Sequence, residues 1–287
     1  MSAPAAAAPS GPTSVPSLVA TDLDGTLLRS DGTVSARTAA ALAACAAAGL
    51  AVVFVTARPP RWLADLAPHV GPHGAALCLN GAAVVEVATG RVLDERGMSA
   101  PQVTELARRL RASGSTVHLA VERAVGFAAE RGYRVGHAVP PGSVVVDRIE
   151  EAVTSSTLKL LVRADDCGPD LDAFVGRVAA AVDGLAEVSH SGAAGLAEIA
   201  PPGVSKAGTL ARWSASRHVV PGDVWAVGDA PNDLPMLRWA GLACAVANAH
   251  PAVLAAADRI LPANDDDGVA LLLEEAARAV AGLGSSR

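Results

Sequence analysis

The chain has 287 residues, 51% of them apolar, and its mean hydropathy of +0.34 excludes a disordered protein. Its net charge of −6 argues against a nucleic-acid-binding surface, and no apolar run reaches the roughly 18 uncharged residues of a membrane span, so neither nucleic acid nor a membrane is an expected partner. The four cysteines are scattered without a C-x-x-C pair, which predicts free thiols in a reducing cytoplasm.

The first 17 residues are rich in alanine, proline and serine and carry no charged side chain. A secretory signal needs a basic stretch before a continuous apolar one, whereas prolines interrupt this segment throughout. We therefore predict a disordered tail over residues 1–17.

The next segment alternates apolar strands with a helix. Residues 18–21, 51–55 and 75–79 are apolar runs of strand length. Ser35 can cap a helix between the first two runs, and Gly49 can end it. Strands that alternate with helices predict a parallel sheet with both faces covered.

The pattern changes in the middle of the chain. Residues 82–86 and 91–95 flank a turn and predict a hairpin, after which helices and strands mix without a repeating order. Beyond Gly203 the earlier alternation returns and continues into an amphipathic helix over 266–281. The predicted fold class is therefore α/β, a Rossmann-like parallel-sheet core interrupted by an inserted α+β domain.

Polar residues follow three of the predicted core strands, namely Asp22, Thr56 and Asp229. In an open α/β sheet, ligands bind outside the carboxyl ends of the strands, so these three ends can face one crevice. Asp24 and Asp233 lie nearby in the sequence, and carboxylates packed together repel one another unless a cation lies between them. An all-oxygen set of this kind suits Mg²⁺, which also binds phosphate.

Three further residues indicate a phosphate site. Gly25 lets backbone N–H groups approach an anion closely, and Thr56 offers a hydroxyl group and a loop N–H. The chain has only two lysines, and Lys206 is fixed in the first turn of a predicted helix, where its compact ammonium group suits a phosphoryl oxygen. Lys159 lies in a predicted strand of the inserted domain and is expected at the surface.

These motifs resemble those of the haloacid dehalogenase superfamily and, within it, the Cof-type phosphatases. The strong matches, in chain order, are Asp22-Leu23-Asp24-Gly25-Thr26-Leu27, Thr56-Ala57-Arg58-Pro59, Leu79-Asn80-Gly81-Ala82, Pro202-Gly203-Val204-Ser205-Lys206 and Gly228-Asp229-Ala230-Pro231-Asn232-Asp233. Weaker matches are Ala247-Asn248-Ala249 and Asn264-Asp265-Asp266-Asp267-Gly268. The resemblance covers the chain from about Leu18 to its end. The middle of the chain is matched only by its length and by the alternation of its predicted elements.

The resemblance implies a role for each matched residue. Asp22 would be the nucleophile that becomes an aspartyl-phosphate, and Asp24 would be the general acid and base. Asp22, the Asp24 carbonyl and Asp229 would hold Mg²⁺, with Asp233 close by. Phosphate binding is expected at Thr56, Lys206, Gly25, Ala57 and Asn232. Ala57 stands where the family usually has glycine, which slightly restricts the loop.

The resemblance also implies that the inserted domain, over about residues 84–192, is a cap that closes over the substrate and selects the leaving group. The core would then comprise residues 18–83 and 193–287. Candidates for substrate binding near the junction are Arg58, Asn80, His190 and Ser191. Arg58 could instead pair with a nearby carboxylate.

The sequence thus predicts a cytoplasmic, Mg²⁺-dependent phosphatase of a small phosphorylated metabolite, either a sugar phosphate or a cofactor phosphate. A phosphomutase or a dedicated sugar-phosphate phosphatase would have the same motifs and stays open. A dehalogenase would not need Asp229 and Asp233, and a phosphoacceptor signalling protein would be shorter and would not need Asp24. We expect a monomer or a small homo-oligomer.

Overall fold

The computed structural model describes residues 15–70, 74–124, 126–134, 140–154 and 157–284. Most of the predicted tail, residues 1–14, lies outside these ranges. Pro16 is buried, and the Ser17 N–H donates to the Asp223 carbonyl at 2.9 Å, so the chain joins the core slightly earlier than predicted. None of the helices among these residues has both the length and the apolar character needed to cross a membrane.

The described residues form fourteen strands and seven α-helices. The strands are β1 (Leu18–Thr21), β2 (Ala51–Val55), β3 (Ala75–Cys78), β4 (Ala83–Glu86), β5 (Arg91–Glu95), β6 (Val117–Glu122), β7 (Phe127–Glu130), β8 (Val144–Val146), β9 (Lys159–Ala164), β10 (Glu187–Ser189), β11 (Ala197–Ala200), β12 (Val224–Gly228), β13 (Leu242–Val246) and β14 (Arg259–Leu261). The helices are α1 (Ala36–Ala47), α2 (Ala100–Ala112), α3 (Leu171–Val182), α4 (Lys206–Ala215), α5 (Leu234–Trp239), α6 (Pro251–Ala256) and α7 (Gly268–Gly284).

The larger sheet has eight strands in the order β14-β13-β12-β1-β2-β3-β4-β5, and its neighbours are parallel from β14 to β3. Its central strand β1 is buried along its whole length, as its apolar sequence predicts. In register, Thr21 pairs with Val227 on one side and Phe54 on the other. The residues that follow β1, β2 and β12 therefore leave the sheet at nearly the same level, which confirms the predicted parallel core.

Helix α1 shows how local sequence signals set the ends of an element. Ser35 caps it by accepting the Thr38 N–H on its hydroxyl oxygen at 3.0 Å. Gly49 follows the helix at φ +73°, a conformation that glycine adopts at little cost. The helix then packs against α7, so the two ends of the core sequence cover the same part of the sheet.

The smaller sheet has six strands in the order β10-β11-β9-β6-β7-β8, antiparallel except for the β7–β8 pair. It has a hydrophobic cluster of its own, which includes Leu106 of α2, Leu119 of β6 and Phe174 of α3. The protein is therefore a parallel-sheet core with an inserted α+β cap, as predicted.

The predicted cap boundaries at residues 84 and 192 are both displaced. The β4–β5 hairpin pairs through β4 with β3 and extends the larger sheet, so it belongs to the core. Strand β11 pairs with β9 and β10 and belongs to the cap. The chain thus enters the cap after Glu95 and leaves it after Ala200. The hairpin joins the larger sheet through β3, which ends shortly before β4, whereas β11 joins the cap through β9, much earlier in the chain.

Candidate active site

Asp22 lies at the carboxyl end of the central strand and is buried. Its N–H continues the pairing with β12 by donating to the Val227 carbonyl at 3.0 Å, and its Oδ1 accepts the Leu23 N–H at 2.7 Å. The chain then turns through Leu23–Leu27, with Gly25 at φ +74°. The pairing with β12 and this turn together fix the backbone that carries the Asp22 carboxylate.

Lys206 lies between two carboxylates at the start of α4. Ser205 caps that helix, and the Lys206 side chain is 1% exposed. Its Nζ lies 2.9 Å from Asp22 Oδ2 and 2.7 Å from Asp233 Oδ1. Burial alone would lower the pKa of this ammonium group, but attraction to the two carboxylates outweighs burial and raises it.

The loop after β12 brings Asp229 and Asp233 to the same point. Asp233 Oδ2 accepts the N–H groups of Asp229 and Ala230, at 3.1 and 3.0 Å. Asp229 Oδ1 accepts the Thr26 hydroxyl at 2.5 Å. A Cβ at Gly228 would lie 2.6 Å from atoms of the Asp233 side chain, so only glycine permits this tight loop.

The carboxylates stand in an environment that disfavours negative charge. Burial raises the pKa of Asp22 well above its ordinary value, and the Asp233 charge raises it further, against the opposing effect of Lys206. Burial likewise raises the pKa of Asp229 to about 6. Three carboxylates face one ammonium group, so the site holds an excess of negative charge that a bound cation would balance.

The geometry of these carboxylates fits a divalent cation. Asp22, Asp229 and Asp233 each offer an oxygen atom, and the three atoms lie within 4.8 Å of one another. A Cβ at Gly25 would lie 2.6 Å from Asp229 Oδ2, so the glycine keeps the space beside that oxygen open. Asp22, Asp229 and Asp233 are therefore the side chains that could hold Mg²⁺. Lys206 together with neighbouring N–H groups fixes the orientation of Asp22 and Asp233.

Asp24 points away from this cluster and pairs with Arg58. Arg58 donates from Nη2 to Asp24 Oδ1 at 2.6 Å and from Nε to Asp24 Oδ2 at 2.8 Å. The Asp24 side chain is 58% exposed, so it can exchange this partner for another without disturbing the core. The structure thus shows Arg58 in the second of its two predicted roles, paired with a nearby carboxylate.

Two other predicted phosphate-site residues, Thr56 and Asn232, lie in the segments that follow β2 and β12. Thr56 is buried after β2, and its hydroxyl oxygen accepts the Arg58 N–H at 3.0 Å. Asn232 donates from Nδ2 to Asn80 Oδ1 at 3.4 Å, while its own buried Oδ1 has no hydrogen-bond partner within the described part of the chain. Asn232 therefore keeps a polar atom for a ligand, and its role in binding phosphate stays a prediction.

A cleft of about 380 Å³ lies between the core and the cap, next to the exposed carboxylate of the site. Its lining residues include Asp24, Arg58, Trp62, Ser191 and Glu198. His190 does not reach this cleft. It pairs instead with Asp172, at 2.8 Å from Nε2 to Oδ1, and lines a second cleft of about 290 Å³ together with Asn80 and Lys206. Of the predicted cap residues, only Ser191 lies beside Asp24.

The prediction that Lys159 lies at the surface is wrong. Lys159 is 1% exposed and borders the same cleft, with Nζ 3.0 Å from the Ala57 carbonyl. Sequence reasoning missed it because a lysine in a strand is usually exposed. The signal that could have identified it is composition, since this chain has only two lysines and Lys206 is already assigned to the site.

The weakly matched asparagines support the turn that contains Gly25. Asn248 donates from Nδ2 to the Gly25 carbonyl at 2.7 Å, and its Oδ1 accepts the Asn264 N–H at 3.0 Å. Asn264 in turn donates to the Leu28 carbonyl at 2.9 Å. These residues act through the backbone of the turn rather than through the carboxylates.

A family model described as haloacid dehalogenase-like hydrolase matches residues 19–273. The match spans most of the chain and includes every element that carries the site described above. The protein therefore belongs to the haloacid dehalogenase-like hydrolases.

Three similar proteins show how much of the chain the similarity covers and at what sequence identity. The stress response protein YhaX of Bacillus subtilis is 40% identical over 77 residues, so the match spans only 27% of either chain. The Bacillus subtilis protein YxeH is 25% identical over 273 residues, 90% of this chain and 97% of the relative. The solved structure of a phosphatase of the haloalkanoate enzyme superfamily from Bacteroides thetaiotaomicron is 26% identical, with a TM-score of 0.74 over 90% of this chain and 94% of that one.

Proposed function

We propose that this hydrolase is a Mg²⁺-dependent phosphatase that hydrolyses a small phosphorylated metabolite through an aspartyl-phosphate on Asp22. The observation that carries the proposal is the arrangement of Asp22, Lys206 and Asp233. A buried carboxylate with one oxygen 2.9 Å from an ammonium group is held in place to attack phosphorus, and the ammonium group offsets part of the negative charge of the phosphoryl oxygens. Magnesium, when bound, would offset the charges of the phosphoryl oxygens and the carboxylates.

In the first step, an oxygen of Asp22 attacks phosphorus and the bond from phosphorus to the leaving oxygen breaks. Asp24 supplies the proton that the leaving oxygen needs, for which it must release Arg58. In the second step, Asp24 removes a proton from water, which attacks phosphorus and frees the Asp22 carboxylate and inorganic phosphate. Lys206 and Thr56 stabilise the phosphoryl oxygens in both steps.

The cleft beside Asp24 supports a compact leaving group. Its volume of about 380 Å³ falls near the lower end of the range of about 300–1,000 Å³ common for small-molecule pockets. Charged and aromatic side chains both line it, which suits the leaving group of a sugar phosphate or of a cofactor phosphate. The four free cysteines are consistent with the further proposal that the enzyme works in the cytoplasm. We also propose that it is a monomer or a small homo-oligomer.

The test is phosphate release from a panel of phosphorylated sugars and cofactors, measured with Mg²⁺ and with EDTA. We expect turnover that EDTA abolishes and added Mg²⁺ restores. Asp22→Asn is the control for contaminating phosphatases, because an amide is a poor nucleophile. Equal activity of Asp22→Asn and the wild type, or full activity after exhaustive removal of metal, would contradict the proposal.

A further inference from the structure

The cap directs a buried ion pair toward the core, and the proposed chemistry does not use it. Lys159 of β9 and Glu198 of β11 are both buried, and Lys159 Nζ lies 3.2 Å from Glu198 Oε1. The two strands are antiparallel neighbours with Glu198 opposite Leu161, which places both side chains on one face of the smaller sheet. This pair therefore belongs to the cap surface that meets the core.

Each member of the pair also binds a loop of the core. Lys159 Nζ donates to the Ala57 carbonyl at 3.0 Å, and Glu198 Oε2 accepts from Asn80 Nδ2 at 2.7 Å. Asn80 in turn donates its backbone N–H to the Thr56 carbonyl at 3.0 Å. The two contacts from the cap thus converge on the backbone around Thr56.

One peptide group connects the lysine to the Thr56 hydroxyl. The carbonyl of the Ala57–Arg58 peptide accepts from Lys159, and the N–H of the same peptide donates to Thr56 Oγ1 at 3.0 Å. Holding the carbonyl fixes the plane of the peptide and therefore the direction of its N–H. Since the hydroxyl oxygen then accepts this N–H, its hydrogen is left free to donate to a phosphoryl oxygen.

Stability alone gives little reason for charges at this position. Removing an ammonium and a carboxylate from water is costly, and well-packed apolar residues often replace such a pair without loss of stability. Asn80 also has φ +57°, an uncommon conformation for a residue other than glycine, and Glu198 binds its side chain there. The pair thus holds specific backbone conformations that apolar packing would not select.

We propose that Lys159 and Glu198 are positioning residues, by which the cap sets the Ala57–Arg58 peptide and Asn80 in the arrangement that lets Thr56 bind the phosphoryl group. The inference rests on the proposed function, because it takes Thr56 as part of the phosphate site. It assigns the cap a part in binding the phosphoryl group of every substrate, in addition to contacts with the leaving group.

The test uses inorganic phosphate as the probe, titrated by calorimetry into the full-length protein with saturating Mg²⁺. Lys159→Met is expected to bind phosphate about ten- to a hundredfold more weakly, as the loss of a hydrogen bond from a charged donor predicts. Arg111→Met is the matched control, because Arg111 also pairs with cap carboxylates, the buried Glu130 and the half-buried Glu150, and contacts neither core loop. Phosphate should bind this control as it binds the wild type.

The double variant Lys159→Met/Glu198→Met separates positioning from simple stability. Removing both charges should recover the unfolding temperature lost by either single variant, while phosphate affinity stays low. Wild-type affinity in Lys159→Met, or affinity that returns with stability in the double variant, would overturn the inference and leave the proposed function intact. Failure of the wild type to bind phosphate would overturn the inference, whereas the proposed function is tested separately by phosphate release.

Discussion

At the scale of single residues, the Lys206 ammonium group lies between the carboxylates of Asp22 and Asp233. Its removal would leave buried negative charges without a positively charged partner. We expect Lys206→Met to lower kcat by about 10²-fold or more and to destabilise the protein by about 3–5 kcal/mol. Steady-state kinetics with Mg²⁺ and urea unfolding would measure the two effects, and wild-type turnover in the folded variant would exclude Lys206 from the chemistry.

Asp24 allows a test of the covalent intermediate. Because its side chain is exposed, we expect Asp24→Asn to keep the fold, and the change removes the proton relay while keeping the nucleophile. Turnover should fall by about 10²–10⁴-fold. With a substrate whose leaving group needs little protonation, the variant should accumulate phosphate on Asp22.

Mass spectrometry of the acid-quenched Asp24→Asn enzyme would locate that adduct on the peptide containing Asp22. The control is the double variant Asp22→Asn/Asp24→Asn, which should carry no adduct because the nucleophile is gone. A phosphorylated peptide elsewhere in the chain would overturn the assignment of Asp22.

At the scale of elements, the turn over Leu23–Leu27 depends on Gly25. Alanine there would place a Cβ 2.6 Å from Asp229 Oδ2, in addition to the strain of φ +74°. We expect Gly25→Ala to displace Asp229 and to raise the Mg²⁺ concentration needed for half-maximal activity by about tenfold or more. The backbone strain itself should cost only about 1–2 kcal/mol.

The chain offers a control that has the same strain without the contact. Gly32 has φ +81°, and a Cβ there would meet no atom within 4 Å. Gly32→Ala should therefore lose similar stability while its Mg²⁺ dependence stays that of the wild type. If the two alanine variants had equal Mg²⁺ dependence, Gly25 would be needed only for the backbone conformation of the turn and not for the position of Asp229.

The strands that carry the site could be predicted from sequence, because each is a continuous apolar run that ends in a polar residue. β1, β2 and β12 have this form, and the register places Thr21 level with Val227. Strands β7 and β8 could not be predicted, since β8 has exposed valines and its pairing depends on β7. That β11 belongs to the cap sheet could not be predicted either, because its pairing partner β9 lies more than thirty residues earlier in the chain.

At the scale of the whole molecule, the position of the cap over the cleft leads us to expect that the cap influences which substrates are hydrolysed. The carboxylate cluster lies entirely in the core, whereas Ser191 and Glu198 of the cap line the cleft beside Asp24. Exchanging the cap, from the residue after Glu95 to Ala200, for that of a relative with other preferences should change the order in which substrates are hydrolysed.

The exchanged cap should keep a lysine and a glutamate at the positions of Lys159 and Glu198, so that the phosphate loops stay supported. Relative kcat/KM values across the same panel would measure the effect. An unchanged order in a folded chimera whose activity still requires Asp22 would show that the core itself selects the substrate.

The burial of both lysines has a consequence for labelling experiments. Lys159 and Lys206 are each 1% exposed, so the folded protein presents no lysine side chain to reagents that acylate amines. Such reagents can reach these groups only when the cap separates from the core or the site opens locally. The rate at which each lysine is acylated, followed on its own peptide, would therefore report how often its surroundings open.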